Sequence, residues 1–423
     1  FFGEGLVELT HETTTGPSAL LRRMPRQSMV AVLVLFGALG MAVFMSRTEA
    51  ILAPLWLLAM AAGFTLQRSR FCFASAFRDL FLFGSSRMMK GILVGLAIAT
   101  IGFAINMYSK VPFPGFGVLP GEANILPVGL STIVGGLLFG FGMVLSGGCV
   151  SGSLYRMAEG YVASWVSMGG ILIGLGFLSQ TWNWWWQASI SREPTVWIPS
   201  KFGLGYGGGV ILTLVALLIA FLLFLWWESR SGLSVPDIPR KKELDDTLGQ
   251  KLSILWRSVF VRGWPAVVGG GVLGVIGVLM YMVHMPWGVT GELARFSNTI
   301  MSTLNFAPPE PLGLSDLGGC SGLSGTTGLF THSFAVTVGV LPGSLVGALF
   351  ASEFKLRFPR NAKRYVQALG GGIIMGYGAG LAIGCTVGAF FSSIPSLSIS
   401  GWLFALALSG GAFLGVQAIK RIA

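Results

Sequence analysis

Four cysteines, Cys72, Cys149, Cys320 and Cys385, stand in an otherwise strongly apolar chain. A thiol can serve as a nucleophile, a redox partner, a metal ligand or a soft, weakly hydrogen-bonding contact. Spacing separates these roles. None of the four forms a CxxC pair and none has a histidine at metal-ligand spacing, which argues against zinc and against a local dithiol. His11, His284 and His332 are scattered along the chain and read as structural, so no proton relay, metal centre or cofactor is expected. A lone membrane cysteine is usually a small packing residue. Cys149 and Cys385 depart from that reading because their surroundings repeat.

Residues 135–152 read GGLLFGFGMVLSGGCVSG, and residues 371–388 read GGIIMGYGAGLAIGCTVG. The two frames agree at eight of eighteen positions: five glycines, Leu145 with Leu381, the cysteines, and Gly152 with Gly388. After Gly148 and Gly384 too few residues remain before polar or charged groups to complete another span. VSGSLYRMAEG and TVGAFFSSIPS are therefore expected to be short half-helices entered from glycine turns. Irregular backbone at membrane depth persists only where protein or a water-filled cavity satisfies it. A half-helix start also aims unpaired N–H groups and a positive dipole end at its neighbour, which favours an anion. Cys149 and Cys385 are the primary candidates from these frames, with Gly148, Gly384, Cys320, Arg68 and Arg156 as possible additions. Cys72 lies in QRSRFCFASAFRDLFL (67–82), too short and basic to span, and is expected on another re-entrant element. Cys320, in GLSDLGGCSGLSGTTG, has a similar GGC turn but no counterpart in the first unit.

No Lys or Arg falls within 128–152 or 365–388. A full positive charge on the path would hold an ion too tightly for release. Arg68, Arg70 and Arg156 lie just beyond the frames, either drawing an anion inward or serving only to orient the chain in the bilayer.

The elements that must position these residues follow from composition. The 423-residue chain is 53% hydrophobic and 11% charged, with a mean hydropathy of +0.74. Soluble domains carry about 25% charged residues. Apolar runs at 28–45, 91–105, 128–146, 162–181, 207–227, 264–285, 332–352, 365–383 and 401–418 approach the ~20 residues that cross a bilayer. The fold class is an all-α polytopic membrane protein. Its 62 glycines suit close helix approach in lipid. Trp182, Trp184, Trp185 and Trp186 read as an interfacial aromatic belt.

A net charge of +11 invites a nucleic-acid reading, but its placement excludes one. Segment 68–90, linker 228–263 and loop 353–364 are rich in Lys and Arg, whereas 106–127 holds only Lys110 and 182–206 only Arg192 and Lys201. Alternating basic loops are the positive-inside pattern, and they place both termini in the cytoplasm. The same rule runs 128–146 inward and 365–383 outward, and it opposes 162–181 to 401–418 and 91–105 to 332–352. A weaker match of GFTLQRSRF (63–71) to GVTGELARF (288–296) extends the correspondence.

The expected architecture is thus two inverted-topology repeats with re-entrant half-helices forming an hourglass-like pathway, a transporter signature. Residues 1–27 form an N-terminal extension and 28–50 a flanking transmembrane helix. The first repeat is 51–181, followed by an external loop and second flanking helix at 182–227. The cytoplasmic basic linker is 228–263, with an amphipathic interfacial helix expected over 245–262, and the second repeat is 264–423.

GGLLFGFGMVLSGGCVSGSLYR, RSRFCFASAFRDL and GGIIMGYGAGLAIGCTVGAFFSSIP resemble the YeeE/YedE family of sulfur-compound transporters, the YedE branch in particular. The resemblance covers nearly the whole chain beyond residue 50. It implies a transporter, not an enzyme, that takes up thiosulfate through an hourglass of two inverted halves in a bacterial inner membrane. Carried over to this chain, it implies that Cys72, Cys149 and Cys385 line the constriction and pass the ion along by S–H contacts. It also implies a cytoplasmic TusA/SirA-like sulfur-carrier protein as a partner. The 1–50 extension, the long linker and Cys320 depart from the family pattern, so nothing transfers to them. A selenium-containing or other sulfur substrate stays open, as does a membrane thiol oxidoreductase that pairs cysteines in space. A channel of the aquaporin kind would need repeated Asn-Pro turns, which this chain lacks.

Overall fold

The computed structural model describes residues 26–115, 119–231, 256–314, 328 and 330–422. Cys320, His11, almost all of the 1–27 extension and most of the 228–263 linker lie outside the described residues, as does the expected amphipathic helix up to residue 255. Of that helix only residues 256–262 are described, with a π-type turn over Arg257–Val261.

Long uncharged runs in which backbone polarity must be satisfied internally form helices. In chain order they are α1 (Arg26–Ser46), α2 (Leu52–Ser69), α3 (Phe73–Phe83), α4 (Arg87–Lys110), α5 (Leu130–Ser146), α6 (Val150–Ala158), α7 (Val162–Ala188) and α8 (Gly205–Ser231). The second half follows with α9 (Ala266–Val283), α10 (Thr290–Thr303), α11 (His332–Val338), α12 (Val340–Phe350), α13 (Ala362–Leu381) and α14 (Ile399–Ile422). Among the described residues there is no strand, and eight helices are long and apolar enough to cross a membrane, or nine with the bent pair Ala362–Leu381 and Thr386–Ser392. The chain is a multi-pass helical membrane protein.

The central crossing is α5 against α13, antiparallel and almost backbone to backbone. A Cβ on Gly142 would lie 2.5 Å from Met375 N and 2.6 Å from Gly371 O; one on Gly378 would lie 2.6 Å from Phe139 N and 2.7 Å from Gly135 O. The glycines of the two repeated frames therefore meet each other. Next to this pair, α7 lies along α13 and α14 along α5, while α4 packs on α9 and α2 on α12. The two flanking spans stay at the rim: only 17% of the most apolar stretch of α8 and 28% of that of α1 is buried, against 67% of the one within Leu130–Ala158. Their exposed Phe36, Leu218 and Leu222 suit contact with lipid.

Three expectations change at this level. The 67–82 stretch is not one element. Residues 67–69 complete α2, Arg70 takes a left-handed conformation (φ 48°), and Cys72 is extended (φ −139°) before α3 begins. The amides of Arg70 and Phe71 close back onto Gln67 O and Leu66 O, a helix-ending pattern that frees the chain to turn. The tryptophan run is not a simple lipid-facing belt. Trp182 donates to Leu312 O (3.0 Å) and Trp185 to the Tyr377 hydroxyl (2.8 Å), while Trp186 packs over Gly313 and Trp184 stays exposed. Nor are the described histidines scattered in space. His284 and His332 lie with ring centroids 4.2 Å apart, flanked by Glu122 (3.4 Å) and Glu49 (3.0 Å).

Candidate functional site

The first frame ends where α5 runs out at Gly147, whose φ of +84° only glycine adopts without strain. A Cβ there would also collide with Arg364 Nη2, whereas one on Gly148 would meet nothing closer than 3.4 Å. Gly147 is thus the position that demands glycine in this turn. Cys149 is the N-cap of α6: it is extended (φ −79°, ψ 179°) and wholly buried. Its Sγ accepts from Gly152 N–H at 3.3 Å and lies 3.4 Å from Ser151 Oγ. Sulfur stands where Ser or Asp commonly caps a helix.

Cys72, at the N-cap of α3, brings its thiol within hydrogen-bond reach of Cys149. Gly152 is the floor beneath both. A Cβ on it would lie 3.1 Å from Cys72 Sγ and 3.2 Å from Cys149 Sγ, so the missing side chain leaves room beside both sulfurs. Thr386 approaches Cys149 from the second frame, and its buried Oγ1 has only that thiol within reach. Cys72, Cys149 and Cys385 are all free thiols and all buried.

The second turn reproduces the first with different residues. Ile383 takes the left-handed position (φ +55°) that Gly147 holds in the first frame, an unusual place for a β-branched side chain. Here Gly384 is the tight glycine, since a Cβ would lie 2.8 Å from Ala389 N. Cys385 is extended (φ −91°, ψ −173°) at the head of Thr386–Ser392, a short helical segment of the wide π type. Outside contacts hold it: Asn124 Nδ2 donates to Gly388 O (3.1 Å), Ser392 Oγ to Trp287 O (2.8 Å) and Ser393 Oγ to Asn124 O (2.9 Å). The backbone here is bound laterally, and the turn widens to suit.

Phenylalanine rings near Cys72 and Cys385 in the chain pack on one another. Phe73 meets Phe71 (5.5 Å), Phe391 (5.6 Å) and Phe390 (6.3 Å) edge to face, and Phe77 meets Phe390 (6.3 Å). The sequence reading passed over this cluster. Its signal was present: Phe71 and Phe73 flank Cys72, and Phe390 and Phe391 follow Cys385.

The arginines divide. All three side-chain nitrogens of Arg68 are engaged, to Gln67 Oε1 (2.7 Å), Phe260 O (2.9 Å), Val261 O (3.1 Å) and Glu353 (2.8 Å). It ties the end of α2 to two loops. Arg70 meets the same Glu353 at 3.0 Å from an exposed position. Arg156 instead turns toward the Gly147 turn, donating to Gly147 O at 2.6 Å, and lies within electrostatic reach of Cys72 and Cys149.

The site therefore gathers two facing thiols and a buried hydroxyl beside Cys149, with a third thiol one residue from that hydroxyl. Thiols are weak donors with polarizable sulfur. Such a set can pass a soft anion without gripping it. The set lies within a multi-pass helical bundle. The chain belongs to the Sulphur transport family, whose defining sequence pattern matches residues 68–414. It is 31% identical over 353 residues to a thiosulfate transporter, TsuA of Spirochaeta thermophila, covering 81% of this chain and 91% of that protein. It is 25% identical over 343 residues to TsuA of Escherichia coli, covering 81% and 87%, and 35% identical over 205 residues to the probable transporter YedE of Escherichia coli, covering 48% of each chain.

Proposed function

We propose that this protein carries thiosulfate, or a closely related sulfur oxyanion, into the cytoplasm past Cys72, Cys149 and Cys385. The observation that carries the reading is the pair of buried sulfurs facing one another above Gly152, with the buried Thr386 Oγ1 beside Cys149. Thiosulfate is a dianion with one soft sulfur end and a hard oxygen end. Thiols suit the soft end; hydroxyl and backbone N–H donors at the turns suit the oxygens. The names of the two TsuA relatives support the substrate.

The two halves are read as inverted repeats, 51–181 and 264–423, flanked by the α1 and α8 spans. Several contacts support this. Gly135 meets Gly378 while Gly142 meets Gly371, which is the same contact seen from each frame, and Gly147 and Ile383 share one backbone conformation. Arg68, Arg70, Arg156 and Arg364 gather at one end of the bundle with loop 353–364; this is taken as the cytoplasmic end of a bacterial inner-membrane protein, with both termini on that side. A TusA/SirA-like carrier would dock on that basic loop.

A second reading has its own observation. Cys72 and Cys149, far apart in sequence, are close enough in space to cycle between dithiol and disulfide, as a membrane thiol oxidoreductase would require. Mass-spectrometric trapping during turnover separates the two. A transporter keeps full flux in an impermeant reductant with both thiols reduced; an oxidoreductase accumulates the disulfide.

The direct test is uptake of ³⁵S-thiosulfate by proteoliposomes, alongside growth of a sulfur-auxotrophic host on thiosulfate alone. Cys149→Ala or Cys385→Ala should abolish uptake with the fold intact, and Cys149→Ser should keep a trace. Unchanged uptake in both alanine variants removes the cysteine pathway.

A further inference from the structure

The two repeated frames share their glycines, cysteines and turn geometry, but not the charge around the turns. Aligning Gly135 on Gly371 sets Arg156 opposite Ser392 and Arg364 opposite Val128. The first turn therefore has a guanidinium from each half of the chain, and the second has none.

Both guanidinia are anchored to the turn itself. Arg156 donates through Nη1 to Gly147 O (2.6 Å) and through Nε to the Tyr155 hydroxyl (3.3 Å). Arg364 donates through Nη1 to Leu145 O (3.3 Å) and Gln367 Oε1 (3.2 Å), and its Nη2 lies over the bare Cα of Gly147. Among the described residues neither forms an ion pair with a carboxylate, whereas Arg68, Arg70 and Arg78 all do. Arg156 and Arg78 both lie within electrostatic reach of Arg364. Arg156 and Arg364 are half-buried. Two like charges held together at a half-buried turn repel until an anion joins them; the Glu159 carboxyl lies within electrostatic reach of Arg156 but forms no ion pair with it. A need for positive charge on the inner side explains the sign of these residues. It does not explain why each is pinned by a main-chain carbonyl with an Nη2 left over, nor why they come from opposite halves to one turn.

We propose that Arg156 and Arg364 form an inner oxyanion site on the cytoplasmic side of Cys149, which receives the divalent sulfur oxyanion as it leaves the thiols. The orientation and ligand rest on the transport reading given above. The planar fork of arginine matches an oxyanion, and pinning one nitrogen holds the other in place. The two turns then differ in hold. The outer turn offers N–H groups, hydroxyls and a thiol; the inner adds two positive charges, so the ion moves toward tighter binding as it enters. Partial neutralisation by the turn carbonyls and screening by cytoplasmic salt allow release.

The test is thiosulfate binding to protein in nanodiscs, where both faces are open, at two salt concentrations, together with inhibition of uptake by thiosulfate preloaded inside proteoliposomes. Arg156→Gln and Arg364→Gln should each weaken binding about ten-fold or more, the effect of losing a charge-assisted hydrogen bond. Both should also reduce the salt dependence and relieve inhibition from inside. Lys420→Gln, which removes an exposed cation elsewhere, should do none of this. Arg364→Lys keeps the charge and, with it, the insertion signal, but cannot hold both Leu145 O and an oxyanion; it should weaken binding several-fold. Unchanged affinity and unchanged internal inhibition in Arg364→Lys and in the glutamine variants, with flux present in the parent, overturn the site and leave the transport reading standing. Arginine-dependent binding without any flux in the parent overturns the transport reading and leaves the anion site.

Discussion

Gly152→Ala tests the constriction without touching a thiol. The new methyl would sit 3.1 Å from Cys72 Sγ and 3.2 Å from Cys149 Sγ, a few tenths of an ångström inside comfortable contact. Its effect on stability is nearly balanced. Alanine in place of a helical glycine gains about 0.8–1 kcal/mol, and mild overpacking of a tight site costs about 1 kcal/mol at the low end of its range. The melting temperature should therefore stay close to that of the parent. Gly169→Ala, where a Cβ meets nothing within 4 Å, isolates the propensity gain and should be slightly more stable than either. Flux should behave differently. The methyl fills the space beside both sulfurs and displaces an ion from two thiol contacts, each worth about 0.5–1.5 kcal/mol. Together these come to about 1–3 kcal/mol, or roughly a five- to hundred-fold fall in initial ³⁵S-thiosulfate uptake at fixed concentration. Detergent melting curves and proteoliposome uptake on the same preparations are the assay. A variant that melts like the parent and transports like the parent would show that the ion does not pass these sulfurs.

Gly142→Ala, by contrast, should act on the bundle: its Cβ would meet Met375 N at 2.5 Å, which no rotamer change relieves, so α5 and α13 must separate and stability should fall by about 1–3 kcal/mol in thermal melts. An unshifted melt would mean the crossing is looser than described. Burial holds the Glu159 carboxyl above its usual pKa, against the opposing pull of Gln67 and Arg156. With the folded pKa raised, the fold pays a penalty once this group ionises, and stability should fall as pH rises through and above the ordinary carboxylate range. Glu159→Gln should therefore melt higher than the parent at pH 7.5, with the difference closing toward pH 4; a lower melt at pH 7.5 would contradict the burial argument. For sidedness, cysteine at exposed Ser191 should react with an impermeant maleimide on intact cells and cysteine at exposed Lys363 only after permeabilisation, above the parent's background. Reversed labelling would invert the bundle and the direction of every step drawn from it.

Hydropathy is a property of short stretches of chain and the solvent they meet, which is why the sequence alone carried so much of this protein. The spans came out within a few residues of the helices at 26–46, 205–231 and 266–283 because a run of apolar residues in lipid has no alternative to internal hydrogen bonding. The duplicated frames around Cys149 and Cys385 were equally legible, since glycines that let helices touch must recur at helical spacing. Partnership between distant segments was not legible. That Cys72 faces Cys149, that Arg364 closes over Gly147 from the other half, and that His284 stacks on His332 all depend on which helices cross and at what depth. Even the second turn's shape escaped the sequence, because Thr386–Ser392 takes its width from Asn124 and Trp287, residues supplied by other segments. Local periodicity says which face a residue occupies on its own helix. Only the glycine crossings, where backbones come within van der Waals contact, decide what that face meets.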